Sequence, residues 1–246
     1  MPVSGRYIAR RFRRGAATYL AAYARSVQDE ILPSFADLET RANKAAESEY
    51  ERLIAQPASD DFDGDLSSLA EAAEEAGHVY YDTMDRLRRA SLTLYSVGLF
   101  HLLEQELAAC CRDASFGVNP PSDTKLEVVA GWYKKYFRVD LKALRTWASI
   151  DELRLLANTA KHGDGPSARQ LRAIRPDLFE DPRIRERLSD FPFMYTSSHV
   201  QQPLAGEDLF ISDDTFAAYG DSAYEFIIEI AQHFESNADE LFFQGT

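Results

Sequence analysis

Cysteine is scarce in this chain: the two present, Cys110 and Cys111, are adjacent. Neighbouring cysteines cannot staple distant segments, and no CxxC pair is available for a structural zinc site. Such usage suits a reducing cytosol, so a cytoplasmic protein is expected. Glycine and proline are sparse, 12 and 10 in 246 residues, which excludes fibrous and low-complexity classes. No run of about 18 uncharged apolar residues occurs, so no membrane-spanning helix and no membrane partner are expected. Gly-rich phosphate loops, Walker motifs and GxSxG elbows are missing. Two stretches lack one sign of charge. Residues 1–28 carry six Arg and no acid, whereas residues 191–246 carry ten acids and no Lys or Arg.

What is present suffices for a core. A hydrophobic fraction of 45% excludes general disorder, and 246 residues suit one large domain or one domain with appendages. The net charge of −13 disfavours broad, non-specific nucleic-acid binding. That charge is unevenly placed. Residues 29–75 hold 14 acids against three bases, while 76–138 and 139–190 are each slightly basic. Electrostatic partners respond to potential within a Debye length of about 10 Å, so the middle of the chain remains open to an anion.

Near the N-terminus Tyr7, Ile8, Phe12, Tyr19, Leu20 and Tyr23 interleave with Arg at helical spacing. Three readings stand: a first helix with Arg on its wet face, a basic arm for nucleic acid or lipid, or an Arg-rich transit peptide. Phe35–Ala55 reads as helix and Ala58–Asp65 as an acidic loop. Asp61, Asp63 and Asp65 match calcium-loop ligand positions, but Leu66 and Ala72 stand where Gly and Glu are needed, so a solvated loop is expected. Leu66–Arg112 is nearly all helix-forming, with Gly77 as a break point. Its residues Leu87, Leu92, Leu94, Tyr95, Leu99, Leu102, Leu103 and Leu107 make the broad face of a core helix. Further helices are expected at Asp123–Phe137, at Ile150–His162 closed by Gly163, and from Pro166 to Ile174. A strand at Glu207–Ile211, paired with part of 196–202, precedes a last helix, Phe216–Phe234, capped by Asp213 or Asp214. The expectation is an all-α protein: a helical bundle core over 61–190, an N-terminal helical extension over 1–60, and a small β-hairpin near 196–211. Within 191–240 the irregular or hairpin segment and C-terminal helix pack on the core. Residues 241–246 resemble a tag-like tail.

The most informative stretch is Asp151–Gly165. Arg154, Asn158 and His162 fall at i, i+4 and i+8 on one helix face, with Lys161 flanking His162. Arg offers a fork for phosphate, and His exchanges a proton near neutral pH. That set suits metal-independent RNA cleavage. His deprotonates the 2′-hydroxyl or protonates the leaving 5′-oxygen, while a cation stabilises charge on phosphorus. The plainer reading is a helix-terminal His favoured by the macrodipole, with Asn158 bonding nearby backbone. Arg169, Arg172 and Arg175, at i, i+3 and i+6, read either as an RNA-contacting edge or as a surface helix whose Leu171, Ile174, Leu178 and Phe179 pack inward. Glu75–His78 is an ExxH spacing and His101–Glu104 its reverse. A di-metal bundle needs two such pairs plus further Glu, so no metal or other cofactor is expected. Glu104 is better read as a partner of the Arg154–His162 face.

Two blocks carry a family resemblance. Arg88-Arg89-Ala90-Ser91-Leu92-Thr93-Leu94-Tyr95-Ser96 through Glu104-Gln105-Glu106-Leu107 is similar to the long core helix of the HEPN superfamily. Ala157-Asn158-Thr159-Ala160-Lys161-His162-Gly163 resembles that family's Arg, polar residue, three further residues and His. The likeness covers about residues 80–165. It implies an all-helical protein of prokaryotic toxin or antiphage defence systems, many of them metal-independent endoribonucleases. It also implies a homodimer whose cleft forms across the two-fold axis, with an antitoxin or defence-system protein as partner. Asn158 matches the polar residue and His162 the His, but Ala157 stands at the position of the usual Arg. Arg154, a helical turn earlier, and Lys161 are the cations at hand. The alternative is a non-catalytic helical module binding RNA or a partner protein.

Overall fold

Helix propensity and apolar spacing decide nearly every element of the chain. A computed structural model describes residues 3–56, 66–114, 118–182, 200, 204, 209–238 and 241–242. An almost unbroken helical rod opens it. It comprises α1 (Gly5–Arg11), a wider π-helical turn (Phe12–Ala17), α2 (Thr18–Ser26), a second π turn (Val27–Ile31) and a 3₁₀ turn (Leu32–Phe35). Ser4 starts it, its hydroxyl accepting from the Tyr7 amide at 3.4 Å. Then follow α3 (Leu38–Ile54), α4 (Leu66–Ala114), α5 (Leu126–Trp132) running into a π turn (Tyr133–Phe137), α6 (Trp147–His162), α7 (Pro166–Ile174) and α8 (Asp213–Ser236). The fold is all-α. Extended pairing among the described residues is limited to β1 (Val3–Ser4) against β2 (Leu241–Phe242), antiparallel.

The core gathers α1, α2, the C-terminal half of α4, α5, α6 and α8. Its centre is aromatic. Phe12 stacks on Phe234 at 6.2 Å, and Phe234 meets Phe137 edge-on at 5.0 Å. Tyr133 and Trp132 approach Phe137 edge-on at 5.0 and 4.9 Å. The first turns of the chain are thus clamped to its last helix. The N-terminal segment, expected as an extension, therefore supplies core residues: Ile8, Phe12, Ala16, Ala17 and Leu20 are buried almost completely.

What does stand apart is a helical hairpin. Within α3 only Ala42 is buried, and α4 buries only Ala73 and Gly77 before Leu92. Gly77 is no break. A Cβ there would meet the Ala42 carbonyl oxygen at 3.0 Å and the Ala46 Cβ at 3.1 Å, so glycine lets the two helices touch. At 49 residues α4 is about 73 Å long by its helical rise, long enough to serve both hairpin and core.

Several boundaries shift for local reasons. α5 begins at Leu126, whose amide donates to Glu104 Oε1 at 2.9 Å. The cap of α8 is Ser212 rather than Asp213 or Asp214, its hydroxyl accepting from the Thr215 amide at 3.1 Å. Gly163 closes α6 at φ 69°, a left-handed conformation that favours glycine, and its amide returns to Thr159 at 2.8 Å. Leu209–Ile211, placed in a strand from the sequence, forms no strand, and the Phe210 amide bonds the Leu178 carbonyl at 2.9 Å. The rest of the expected hairpin and the Asp61–Asp65 loop lie outside the described residues, apart from isolated Val200 and Leu204.

Candidate functional site

The α6 helix turns its residues two ways. Leu153, Leu155, Leu156, Ala157 and Ala160 enter the core, whereas Arg154, Asn158 and Lys161 are half-buried and His162 is exposed. The predicted stripe therefore exists as one face, directed toward the start of α5 and toward Glu104 on α4.

Each member is differently engaged. Arg154 Nε donates to Asp151 Oδ1 at 2.8 Å, and its Nη1 lies 3.4 Å from Glu127 Oε1. Two carboxylates thus hold the guanidinium, whose side chain is 18% exposed. Glu104 spends one carboxylate oxygen on the α5 amide. Burial pushes its carboxyl above the ordinary value, opposed by that amide and by the Lys161 charge, which places Lys161 within electrostatic reach. Asn158, Lys161 and His162 make no hydrogen bond or ion pair among the described residues. The face sets two cations, Arg154 and Lys161, against three carboxylates, Asp151, Glu127 and Glu104, so it is no positive cleft.

Ala157, at the position where the HEPN resemblance expects an Arg, is fully buried. Its side chain is enclosed by the core, which leaves no room for a cation there. On α4, Ser96 is buried with its hydroxyl donating to the Leu92 carbonyl at 2.8 Å. The Tyr95 carbonyl accepts from the Tyr23 hydroxyl at 3.0 Å. These polar groups serve packing. The end of α6 is further bound to distant chain: the Leu204 amide donates to the Ala160 carbonyl at 2.7 Å and the Val200 amide to Asp164 at 3.0 Å.

The three arginines expected along an RNA edge part company. Arg169 is exposed. Arg172 lies over the Phe179 ring at 4.3 Å and 3.7 Å from Asp164, an ion pair too long for a hydrogen bond. Arg175 clasps Asp177 at 2.9 and 2.7 Å and reaches Glu152, which also accepts from the Tyr219 hydroxyl at 2.7 Å. Burial first, and then Glu152, push the Tyr219 hydroxyl far above its ordinary range. This Glu152–Arg175–Tyr219 knot ties the segment after α7 to α6 and α8. A cavity of about 310 Å³ beside it is lined by Ser149, Glu152, Arg175, Thr215, Tyr219 and Ser222. Tyr219 lies 67 residues from Glu152, and no sequence spacing announces their meeting.

Elsewhere, a cleft of about 790 Å³ opens between the 3₁₀ turn, α4 and the start of α8. Asp37, Glu39, Asp85, Asp213 and Asp214 face a single Arg88 there, which pairs with Asp213 at 2.7 Å. Among the described residues no three His, Cys, Asp or Glu side chains converge as metal ligands. His101 instead contacts Gln105 at 2.8 Å. Cys110 and Cys111 are buried beside Tyr133, and burial pushes the Cys110 thiol up to about 12. No described helix is long and apolar enough to cross a membrane. Comparison with protein-family models, curated proteins and solved structures finds no match for this chain.

Proposed function

We propose that this chain is a HEPN-like helical protein that engages RNA at the end of α6 and binds rather than cleaves it. Asn158, Lys161 and His162 are the contacting residues. Lys161 attracts a phosphate oxygen, while Asn158 and His162 bond phosphate or sugar hydroxyls. The observation carrying the non-catalytic reading is the complete burial of Ala157. The one arginine on the α6 stripe, Arg154, is held by Asp151 and Glu127. A transition-state phosphorane therefore lacks a free guanidinium from α6.

The second reading is a metal-independent endoribonuclease of a toxin or antiphage system, formed by a homodimer and restrained by an antitoxin-like partner. It is favoured by the exposure of His162 and by a Lys161 side chain without a hydrogen bond or ion pair among the described residues. In this reading His162 is the acid or base, Lys161 the phosphate cation and Asn158 the orienting amide.

Incubation with total RNA in EDTA separates the two. The binding reading predicts intact RNA with both proteins, and a wild-type complex that His162→Ala weakens. Cleavage by the wild type that vanishes in His162→Ala establishes the nuclease instead.

A further inference from the structure

The first helical rod carries a charge pattern that the α6 site leaves unused. Its apolar residues Ile8, Phe12, Ala16 and Leu20 are buried, so the opposite stripe faces water. That stripe is Tyr7, Arg10, Arg14, Thr18 and Tyr19. The two tyrosines are 55% and 51% exposed, far more than a ring needs for its hydroxyl alone to be wet. Arg10 and Arg14 of this stripe, with Arg6 and Arg13, wall a cavity of about 280 Å³. Among the described residues that line it the one carboxylate is Glu235, which is occupied by Arg13 through contacts of 2.6 and 2.8 Å. Arg10 and Arg14 have no hydrogen bond or ion pair among the described residues. Arg11, by contrast, is turned to Glu106 and Asp113 at 3.1 and 3.2 Å.

Guanidinium forks around a small cavity suit a phosphate. Exposed rings on the same face suit unstacked bases, because every base has a π-face. The π-helical turn Phe12–Ala17, which contains Arg14 and precedes Tyr19, matters here: its wider winding brings residues five apart toward one side. A lipid surface fits poorly, since a helix lying in a membrane must bury its apolar face there, and this one is already spent on the core.

We propose that the Tyr7–Arg10–Arg14–Tyr19 face binds single-stranded RNA, with a phosphate in the arginine-walled cavity and bases stacked on Tyr7 and Tyr19. The proposal takes from the preceding reading only that the partner is RNA. The molecule's net charge of −13 repels the strand from acidic surface and leaves basic tracks such as this one to receive it.

The test is fluorescence anisotropy with a labelled 20-nucleotide single-stranded RNA. The proteins compared are wild type, Arg10→Glu/Arg14→Glu, Tyr7→Ala, Tyr7→Phe and Lys161→Ala/His162→Ala, each checked by circular dichroism. The charge reversal is expected to weaken binding at least tenfold and to reduce the salt slope by about 1.4 for two phosphates lost. Tyr7→Ala is expected to weaken binding roughly tenfold while Tyr7→Phe matches wild type. Wild-type binding that survives Arg10→Glu/Arg14→Glu but falls in Lys161→Ala/His162→Ala overturns the proposal and leaves the α6 reading standing. Absence of wild-type binding overturns both. Binding to phosphatidylserine vesicles that RNA does not displace also overturns it.

Discussion

Ala157 and Glu229 show how single side chains decide this protein's chemistry. Ala157 is enclosed on every side, so a larger cationic group there must overpack the core and bury a charge. Ala157→Arg, which completes the HEPN-like pattern on paper, is expected to cost at least about 3 kcal/mol in urea unfolding and to confer no RNA cleavage. Glu229 acts across helices. It accepts from Arg145 Nε at 2.8 Å and from the Thr146 hydroxyl and amide at 3.1 and 3.4 Å, bracing the start of α6 from α8. Burial pushes its carboxyl up, but those donors outweigh burial and hold it below the ordinary value. A depressed carboxyl contributes stability above the unfolded pKa of about 4.3 and loses it as pH falls through the folded value. Glu229→Gln is expected to cost about 1–2 kcal/mol at pH 7, and that gap should close on acidification below about pH 4. A gap independent of pH would remove the charge from this account.

At the scale of elements, α6 and α7 were readable because their ends are local. Gly163 has to close α6, and Pro166 has to open α7, whatever surrounds them. The α3–α4 hairpin was not readable. A glycine in a helix reads as a weak point until a neighbouring helix is seen against it. Gly77→Leu is expected to pry α3 from α4, so that amides in 38–54 lose hydrogen-exchange protection. The core should hold, because the hairpin shares little of it, and thermal melting by near-ultraviolet circular dichroism should move by only a few degrees. Loss of cooperative melting would show that the hairpin is part of the core after all.

For the whole molecule, packing partly dissolves the charge segregation along the chain. The last 56 residues contain no Lys or Arg, yet α8 is met by Arg13 at Glu235, Arg88 at Asp213 and Arg145 at Glu225 and Glu229. Basic N-terminal and middle segments thus offset an acidic C-terminal one. The same contacts make residues 5–35 indispensable. A chain lacking them loses Phe12 from the aromatic centre and leaves Phe234 without its stacking partner. Deletion of residues 1–35 is expected to abolish cooperative urea unfolding. A sharp transition retained in the truncated chain would restore the view of that segment as an appendage.

Periodicity alone determined the helical class, because the spacing of apolar residues dictates which backbone buries them. It also placed Arg154, Asn158 and His162 on one face and set the blocks of charge. Tertiary structure decided which charges remain available. Arg11, Arg13, Arg88 and Arg145 meet carboxylates 80 or more residues away, and such pairs depend on how helices pack. Packing likewise leaves Arg10 and Arg14 facing water, ties the half-buried Arg175 to Asp177 and Glu152, and turns Ala157 into the core. Spacing along one helix identifies a face, but the neighbouring helices determine whether that face is buried, paired or open.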